Sequence, residues 1–418
     1  MRAIRLHPFP DAQHDCPHCL QHLDVFGWHT PGMRNLADLR CSICGRQYYG
    51  DLAAGQALYT PMLLEKEGGV VYHKHGVEWF AHWLRDSYAH RTEVPVPFEV
   101  EKRLPITREV VLLNCLDTLY GHSLLKLLNA QYYLEGEVDL ILIIPSFLAW
   151  MVPDGVAQVW IVGLPLKRGT EWNDWLAREI HRRVEDFQSA SLSLALSHPN
   201  PEDYNIERFT GVKPFPLEQW EDRLKRPTVT FIWRDDRAWQ MPADSSTAGV
   251  SKKLRRWVTR PSNSGAAQRR LVGELAETLR CEFPTLDFAI AGLCEEGNGD
   301  GLPTWVQDLR RTTMDDDHER RCCERYASSH VVVGVHGSNM LLPTAHAGGL
   351  VELIGSERWG NFTQDVLFRE TEDCRETLFR YRFVPTSTPP LELAQLVRLL
   401  LRGRDSFRRL MNAGPGSV

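Results

Sequence analysis

Four cysteines are spaced to hold a metal ion. Cys16-Pro17-His18-Cys19 is followed, after twenty-one residues, by Cys41-Ser42-Ile43-Cys44-Gly45. Each C-x-x-C lets two thiolates reach one tetrahedral ion from a tight turn, and a short hairpin between the pairs brings the second pair round to close the shell. Gly45 suits the backbone of such a turn. Four thiolates leave no open coordination position, so the expected role is structural, with zinc as the ion. His14, His18 and His22 are near enough in sequence to replace a thiolate, and four free thiols are the alternative. A redox-active pair has no strand and helix pattern around it.

The remaining chemistry gathers where apolar runs break into polar turns. Residues 331–335 are an apolar run that ends in His336-Gly337-Ser338-Asn339. The glycines allow close backbone approach, and free amides of the turn can meet an anionic group, with His336 able to donate beside them. Arg234 and Arg237 follow the run 228–233 and can grip a phosphate bidentately, unless Asp235 and Asp236 pair with them. Glu352 lies in the run 350–354, where a buried carboxylate requires a partner, either a sugar hydroxyl or a salt bridge. After the run 110–113 come Asp117 and then Gly121-His122 opening a helix; His122 is the preferred proton acceptor and Asp117 the second choice. Lys252, Lys253, Arg255 and Arg256 form a basic cluster beyond a Ser- and Ala-rich loop at 242–249. Asp315-Asp316-Asp317 has the spacing of a metal-binding D-x-D, but no apolar strand precedes it, so these acids are expected to open a helix.

The elements that must position these groups alternate. Strands are expected at 110–113, 138–144, 159–162, 228–233, 286–291, 330–335 and 350–354. Helices are expected at 122–133, 172–187, 267–281, 317–326 and 391–411. Wholly apolar strands interleaved with helices imply parallel sheets covered on both faces. Trp79, Phe80, Trp83 and Ser87 lie at helical spacing and read as a buried stripe, with a sugar-stacking surface as the alternative. Pro95, Pro97 and Pro105 mark a connecting stretch. With 418 residues the expected organisation is a zinc ribbon at 1–60, a helical and linker segment at 61–107, Rossmann-like halves at 108–225 and 226–390, and a closing helix and tail at 391–418.

Lysine and arginine number 48 against 54 acidic residues, a net charge of −6, which argues against a nucleic-acid-coating surface. The longest apolar stretch, 140–152, contains Pro145 and Ser146 and is too short to span a bilayer, and the first residues show no secretory pattern. Ten cysteines without framework spacing fit reduced thiols and a cytoplasmic location. The closing helix sets leucines against Arg398, Arg402, Arg404, Arg408 and Arg409, so it either packs back on the protein or makes peripheral contact with anionic lipid.

The second half resembles metal-independent glycosyltransferases of the GT-B fold, in particular family 61, which includes xylan xylosyl- and arabinosyltransferases and secretory O-GlcNAc transferases. The resemblance is carried by Val333-Gly334-Val335-His336-Gly337-Ser338, by Gly349-Leu350-Val351-Glu352-Leu353-Ile354 and by Tyr120-Gly121-His122-Ser123. It covers roughly residues 108–385 and implies two Rossmann-like domains facing a cleft. It further implies transfer of a sugar from a nucleotide-sugar to a glycan, lipid-linked or protein acceptor hydroxyl, with inversion and without a catalytic metal. The donor's base and ribose would lie near Glu352, its diphosphate near His336, Gly337, Ser338, Asn339 and Arg234, and His122 would serve as base. Two features depart from the family: a long insertion before Arg260-Pro261-Ser262-Asn263, and the cysteine module itself. Two alternatives are a fucosyltransferase-like enzyme with a guanosine donor, gripped by Arg234 and Arg237, and a non-catalytic adaptor with a degenerate body.

Overall fold

A computed structural model describes residues 2–239, 264–294, 301–371 and 373–412. The chain forms two compact units, Met1–Phe209 and Thr210–Val418. The basic cluster at Lys252, Lys253, Arg255 and Arg256, the loop 242–249 and residues 260–263 lie outside the described residues.

The first unit opens with strand β1 (Ala3–His7), followed by β2 (Asp24–His29), β3 (Leu36–Arg40), β4 (Gln47–Asp51), β5 (Leu63–Glu65) and β6 (Val71–Tyr72). Strands β2 to β6 form an antiparallel sheet in sequence order. Then come β7 (Phe98–Lys102), β8 (Glu109–Asn114), β9 (Val138–Pro145), β10 (Gln158–Val162) and β11 (Ala190–Ser193). These join β1 in a second sheet, ordered β1-β11-β8-β9-β10-β7. Its four inner strands are parallel, and β1 and β7 pair antiparallel at the edges. All eight residues of β9 are buried, as expected of a largely apolar strand covered on both faces; its one acid, Asp139, accepts from the Thr107 and Arg108 amides. The two sheets share one core: Leu39 and Tyr48 of the small sheet, with Cys16 and Cys41, pack in the same cluster as Val110, Leu112 and Ile141 of the large one.

Two expectations are corrected in this unit. The stretch marked as a connector by its prolines contains β7, whose Phe-Glu-Val-Glu-Lys alternation suits an edge; proline is tolerated where a strand's N–H groups face no neighbour. The helix Glu78–Ala89 buries Phe80, Ala81 and Leu84, while Trp79 and Trp83 remain 50% and 41% exposed. Rows 79/83 and 80/84 are neighbours on the helix and equally apolar, so periodicity alone does not choose between them.

The second unit is one six-stranded sheet. Its strands are β12 (Thr228–Trp233), β13 (Asp287–Leu293), β14 (Gln307–Arg311), β15 (Val331–Val335), β16 (Gly349–Ile354) and β17 (Tyr381–Pro385). They are parallel throughout, in the order β14-β13-β12-β15-β16-β17. Numbered within the unit this is 3-2-1-4-5-6, the doubly wound dinucleotide-fold order. Helices at Ser264–Glu282, Asp316–Ser328, Leu341–His346, Cys374–Arg380 and Pro390–Asn412 connect or follow the strands. Asp315 caps its helix by accepting from the His318 amide at 2.7 Å, as expected for acids opening a helix. Thus α/β architecture, parallel sheets and a small cysteine-bearing module are all present.

The last helix packs back into its own unit through Leu393, Ala394, Val397, Leu400 and Leu401. Arg404 is buried and bonds Glu376 at 2.6 Å and Glu221 at 3.1 Å. Arg398, Arg408 and Arg409 likewise reach Glu282, Glu376 and Asp405. Among the described residues no helix is long and apolar enough to cross a membrane. Replacing Arg404 leaves two carboxylates without their buried cation. Arg404→Leu is therefore expected to destabilise the second unit by about 3 kcal/mol, measured as a lowered midpoint of urea unfolding.

Candidate functional site

In a doubly wound sheet the chain leaves its first and fourth strands in opposite directions, and the crevice this opens at their carboxyl ends is where ligands bind. In the second unit those strands are β12 and β15. β12 runs into Arg234, and β15 runs into His336. The Arg234 guanidinium joins the two exits. Its Nη1 donates to the His336 carbonyl at 3.1 Å and to Asn339 Oδ1 at 2.8 Å, while Nε and Nη2 donate to the Asp236 carboxylate at 2.8 and 2.6 Å. Gly337 has φ +146°, and a Cβ there would lie 1.8 Å from Arg234 Nη1. No other residue fits the bend.

The His336 side chain is sealed inside, at 2% exposure. Its Nδ1 lies 3.2 Å from Glu352 Oε1, and its Nε2 lies 3.6 Å from Asp365 Oδ2. Glu352 is fully buried, on the next strand of the ladder, opposite Gly334. Its available partner is therefore the imidazole. Burial pushes the Glu352 carboxyl up to about 7, with the nearby Asp365 charge adding and His336 pulling the other way. His336 Nε2, Glu352 Oε2 and Asn339 Nδ2 are buried without a hydrogen-bond partner among the described residues, so the hydrogen-bonding capacity of this polar nest is not fully used. Ser338 and Asn339 are half-buried, in a 3-10 turn leading to the six-residue helix Leu341–His346. Arg237 is half-buried too, and among the described residues its guanidinium bonds only the His336 carbonyl, from Nη1 at 3.3 Å.

The first unit repeats the pattern. Its parallel strands run β10-β9-β8-β11, so the reversal falls between β8 and β11. Asp117 lies just past β8 and is buried. Its Oδ1 accepts from the Thr118 amide at 2.8 Å and from His122 Nδ1 at 3.3 Å, and its Oδ2 accepts from Lys126 Nζ at 2.8 Å. Burial alone would raise this carboxyl, but the Lys126 ammonium and the His122 bond hold it well below the usual carboxylate range. A carboxylate so fully engaged is a poor proton acceptor. With Nδ1 donating to Asp117, His122 keeps Nε2 as the acceptor atom, and its side chain is 30% exposed. Gly169 closes over this turn; a Cβ there would meet the Asp117 carbonyl at 2.4 Å.

Cys16, Cys19, Cys41 and Cys44 converge, all four Sγ atoms lying within 4.8 Å of one another. Tetrahedral zinc with bonds of about 2.3 Å sets its sulfurs roughly 3.8 Å apart, and Cys16 and Cys44 are separated by 3.7 Å. The two knuckles share one backbone pattern: Leu20 N donates to Cys16 O at 2.8 Å, and Gly45 N to Cys41 O at 2.9 Å. Leu20 and Gly45 both take positive φ, 59° and 73°. The hairpin β2–β3 lies between the pairs, as the spacing predicts. His14, His18 and His22 turn instead to Asp51, to Tyr72 and Glu65, and to Asp15.

Sequence reading missed Lys126 and Asp365. Lys126 has no periodic signature inside an apolar helix face, and Asp365 is a loop residue thirteen positions past Glu352.

No family model and no curated protein matches the chain. Among solved structures it is similar to E. coli ADP-heptose LPS heptosyltransferase II, at 12% identity over 72% of this chain and 100% of that one, with a TM-score of 0.38. It is also similar to a glycosyl transferase family 9 structure from Veillonella parvula, at 8% identity over 72% and 98%, with a TM-score of 0.35. Likenesses at this level concern the general α/β arrangement and carry nothing about chemistry.

The buried carboxyl makes stability pH-dependent. Unfolded, Glu352 releases its proton near 4.5; folded, near 7. Between those values only the folded state holds the proton, so this contribution is complete below pH 4.5 and is lost as pH rises through 7. Glu352→Gln is expected to match the unsubstituted protein at pH 4 and to exceed its stability by roughly 3 kcal/mol at pH 8, read from urea unfolding at both pH values.

Proposed function

We propose that the protein is a glycosyltransferase that moves a sugar from a nucleotide-sugar donor to an acceptor hydroxyl. The observation that supports this best is topological. Each of two tandem Rossmann-like units carries its ionisable cluster at the carboxyl side of its own strand-order reversal, where that fold binds ligands. Two such units are what GT-B enzymes are built from. In this reading the donor binds the second unit, its diphosphate beside Arg237, Ser338 and Asn339, with Arg234, His336, Gly337 and Glu352 holding the turn. The acceptor binds the first unit. His122 Nε2 takes the acceptor hydroxyl proton as that oxygen attacks the anomeric carbon, and the bond to the diphosphate oxygen breaks with its electron pair leaving on the phosphate. Asp117 orients His122 and stabilises the imidazolium that forms; Lys126 holds Asp117 ionised. Arginine takes the part a divalent ion plays elsewhere, and single displacement inverts the anomeric centre.

One observation favours a second reading. The His336 ring and Glu352 are sealed, as in a body that has kept the fold without the chemistry and uses its cysteine module to bind a partner. A panel of nucleotide-sugars separates the two. A donor should raise the melting temperature and undergo slow hydrolysis, and His122→Asn should cut kcat at least about a hundredfold while leaving the donor Kd unchanged. No stabilisation by any donor favours the adaptor.

We further propose that the four cysteines hold one structural zinc. The closed thiolate set supports this, as does the packing of Cys16 and Cys41 in the core of the first unit. The ion would add cross-linking there and take no part in transfer. Elemental analysis should find one zinc per chain, and Cys41→Ser should lose it and lower the melting temperature.

A further inference from the structure

The obvious cation at the second unit's strand exits is already spent. Every nitrogen of Arg234 is engaged, two on Asp236 and one on the His336 turn. Arg237, by contrast, bonds a single backbone carbonyl. A third guanidinium belongs to the same edge. Glu352, within β16, lies on one side of the His336 ring and Asp365 on the other, so the chain between them starts and ends facing one imidazole. Between these points lies the 3-10 turn Ser356–Asn361, which carries Arg358. Arg358 is half-buried, and among the described residues its guanidinium has no hydrogen-bond or carboxylate partner. Burial lowers the Arg237 pKa, and the like charges of Arg234 and then Arg358 lower it further. Of the carboxylates whose charge acts on Arg237, Asp236 is bound bidentately by Arg234 and Asp365 faces His336. The guanidiniums of Arg237 and Arg358 therefore keep donors that no group among the described residues engages.

We infer that Arg237 and Arg358 together form the anion clamp for the donor's diphosphate, and that Arg234 is a positioning residue that holds the turn they work against. The inference rests on reading the second unit as the donor site. Two guanidiniums offer several donors in fixed planes, which suits the paired oxygens of a diphosphate better than a single phosphate. The turn bearing Arg358 contributes no strand and no core residue, so its side chain is free to serve the ligand.

The test is calorimetric titration of the full chain with inorganic pyrophosphate and with UDP, GDP and ADP, alongside thermal melts. Arg237→Gln and Arg358→Gln are each expected to weaken nucleoside diphosphate binding by at least roughly tenfold without moving the melting temperature, and Arg358→Lys should recover part of the loss. Arg234→Gln should lower the melting temperature, because it releases both strand exits. If the unsubstituted protein binds a nucleoside diphosphate and Arg358→Gln binds it equally well, the clamp is overturned and the donor site survives. If Arg234→Gln abolishes binding at an unchanged melting temperature, the division of roles is overturned. If the unsubstituted protein binds neither pyrophosphate nor any of the three nucleotides, the donor reading itself fails, and the clamp with it.

Discussion

One guanidinium bridges the two strands at which the second sheet reverses its order. Arg234 donates to the carbonyl of His336 and to the Asn339 side chain, and its charge is balanced by Asp236. Apart from it, the exits are joined above the backbone ladder by the 3.3 Å bond from Arg237 Nη1 to the His336 carbonyl. The geometry is demanding. The guanidinium occupies the space a side chain at position 337 would need, so the glycine is a consequence of the arginine. A methionine sulfur presses in the same way on Gly334, where a Cβ would come within 2.6 Å of Met340 Sδ. The bend is therefore shaped by packing from both sides.

The first unit solves a related problem with opposite charges. There the buried carboxylate is Asp117, and the cation that balances it is Lys126, 2.8 Å away and itself buried. Burying either ion alone would be costly, and the pair persists because each also meets backbone: Lys126 donates to the Leu116 carbonyl, and Asp117 accepts from the Thr118 amide. The outcome is a strand exit with one side chain left partly exposed and oriented, His122. In both units, then, buried charges are consumed in fixing a turn, and the groups left over, His122 in one and Arg237 with Arg358 in the other, are those available to a ligand.

How legible this was depended on the kind of signal. Central strands such as β9 and β12 are covered on both faces, so apolar residues dominate them, with Asp139 in β9 and Thr228 and Thr230 in β12 as exceptions, and the runs stand out. Edge strands escape notice because one side meets solvent: β14 reads Gln-Asp-Leu-Arg-Arg, with only Leu309 to suggest a strand. Arg234, His336 and Glu352 were recognisable as residues at strand ends. Their division of labour was not, since it depends on which partners reach them from elsewhere in the chain. Arg234 and the His336 carbonyl are 102 residues apart.

The chain's own order of residues determined the metal-type knuckles, the alternation of apolar strands with helices and the positions where strands give way to polar turns. These are local properties: a knuckle needs two residues between its ligands, and a strand covered on both faces needs a mostly apolar run. Tertiary structure alone decided that Trp79 and Trp83 face outward, that His336 is enclosed between Glu352 and Asp365, and that Arg234 is neutralised while Arg358 is not. Burial and charge pairing are set by neighbours brought together from distant parts of the chain, and no local period encodes them.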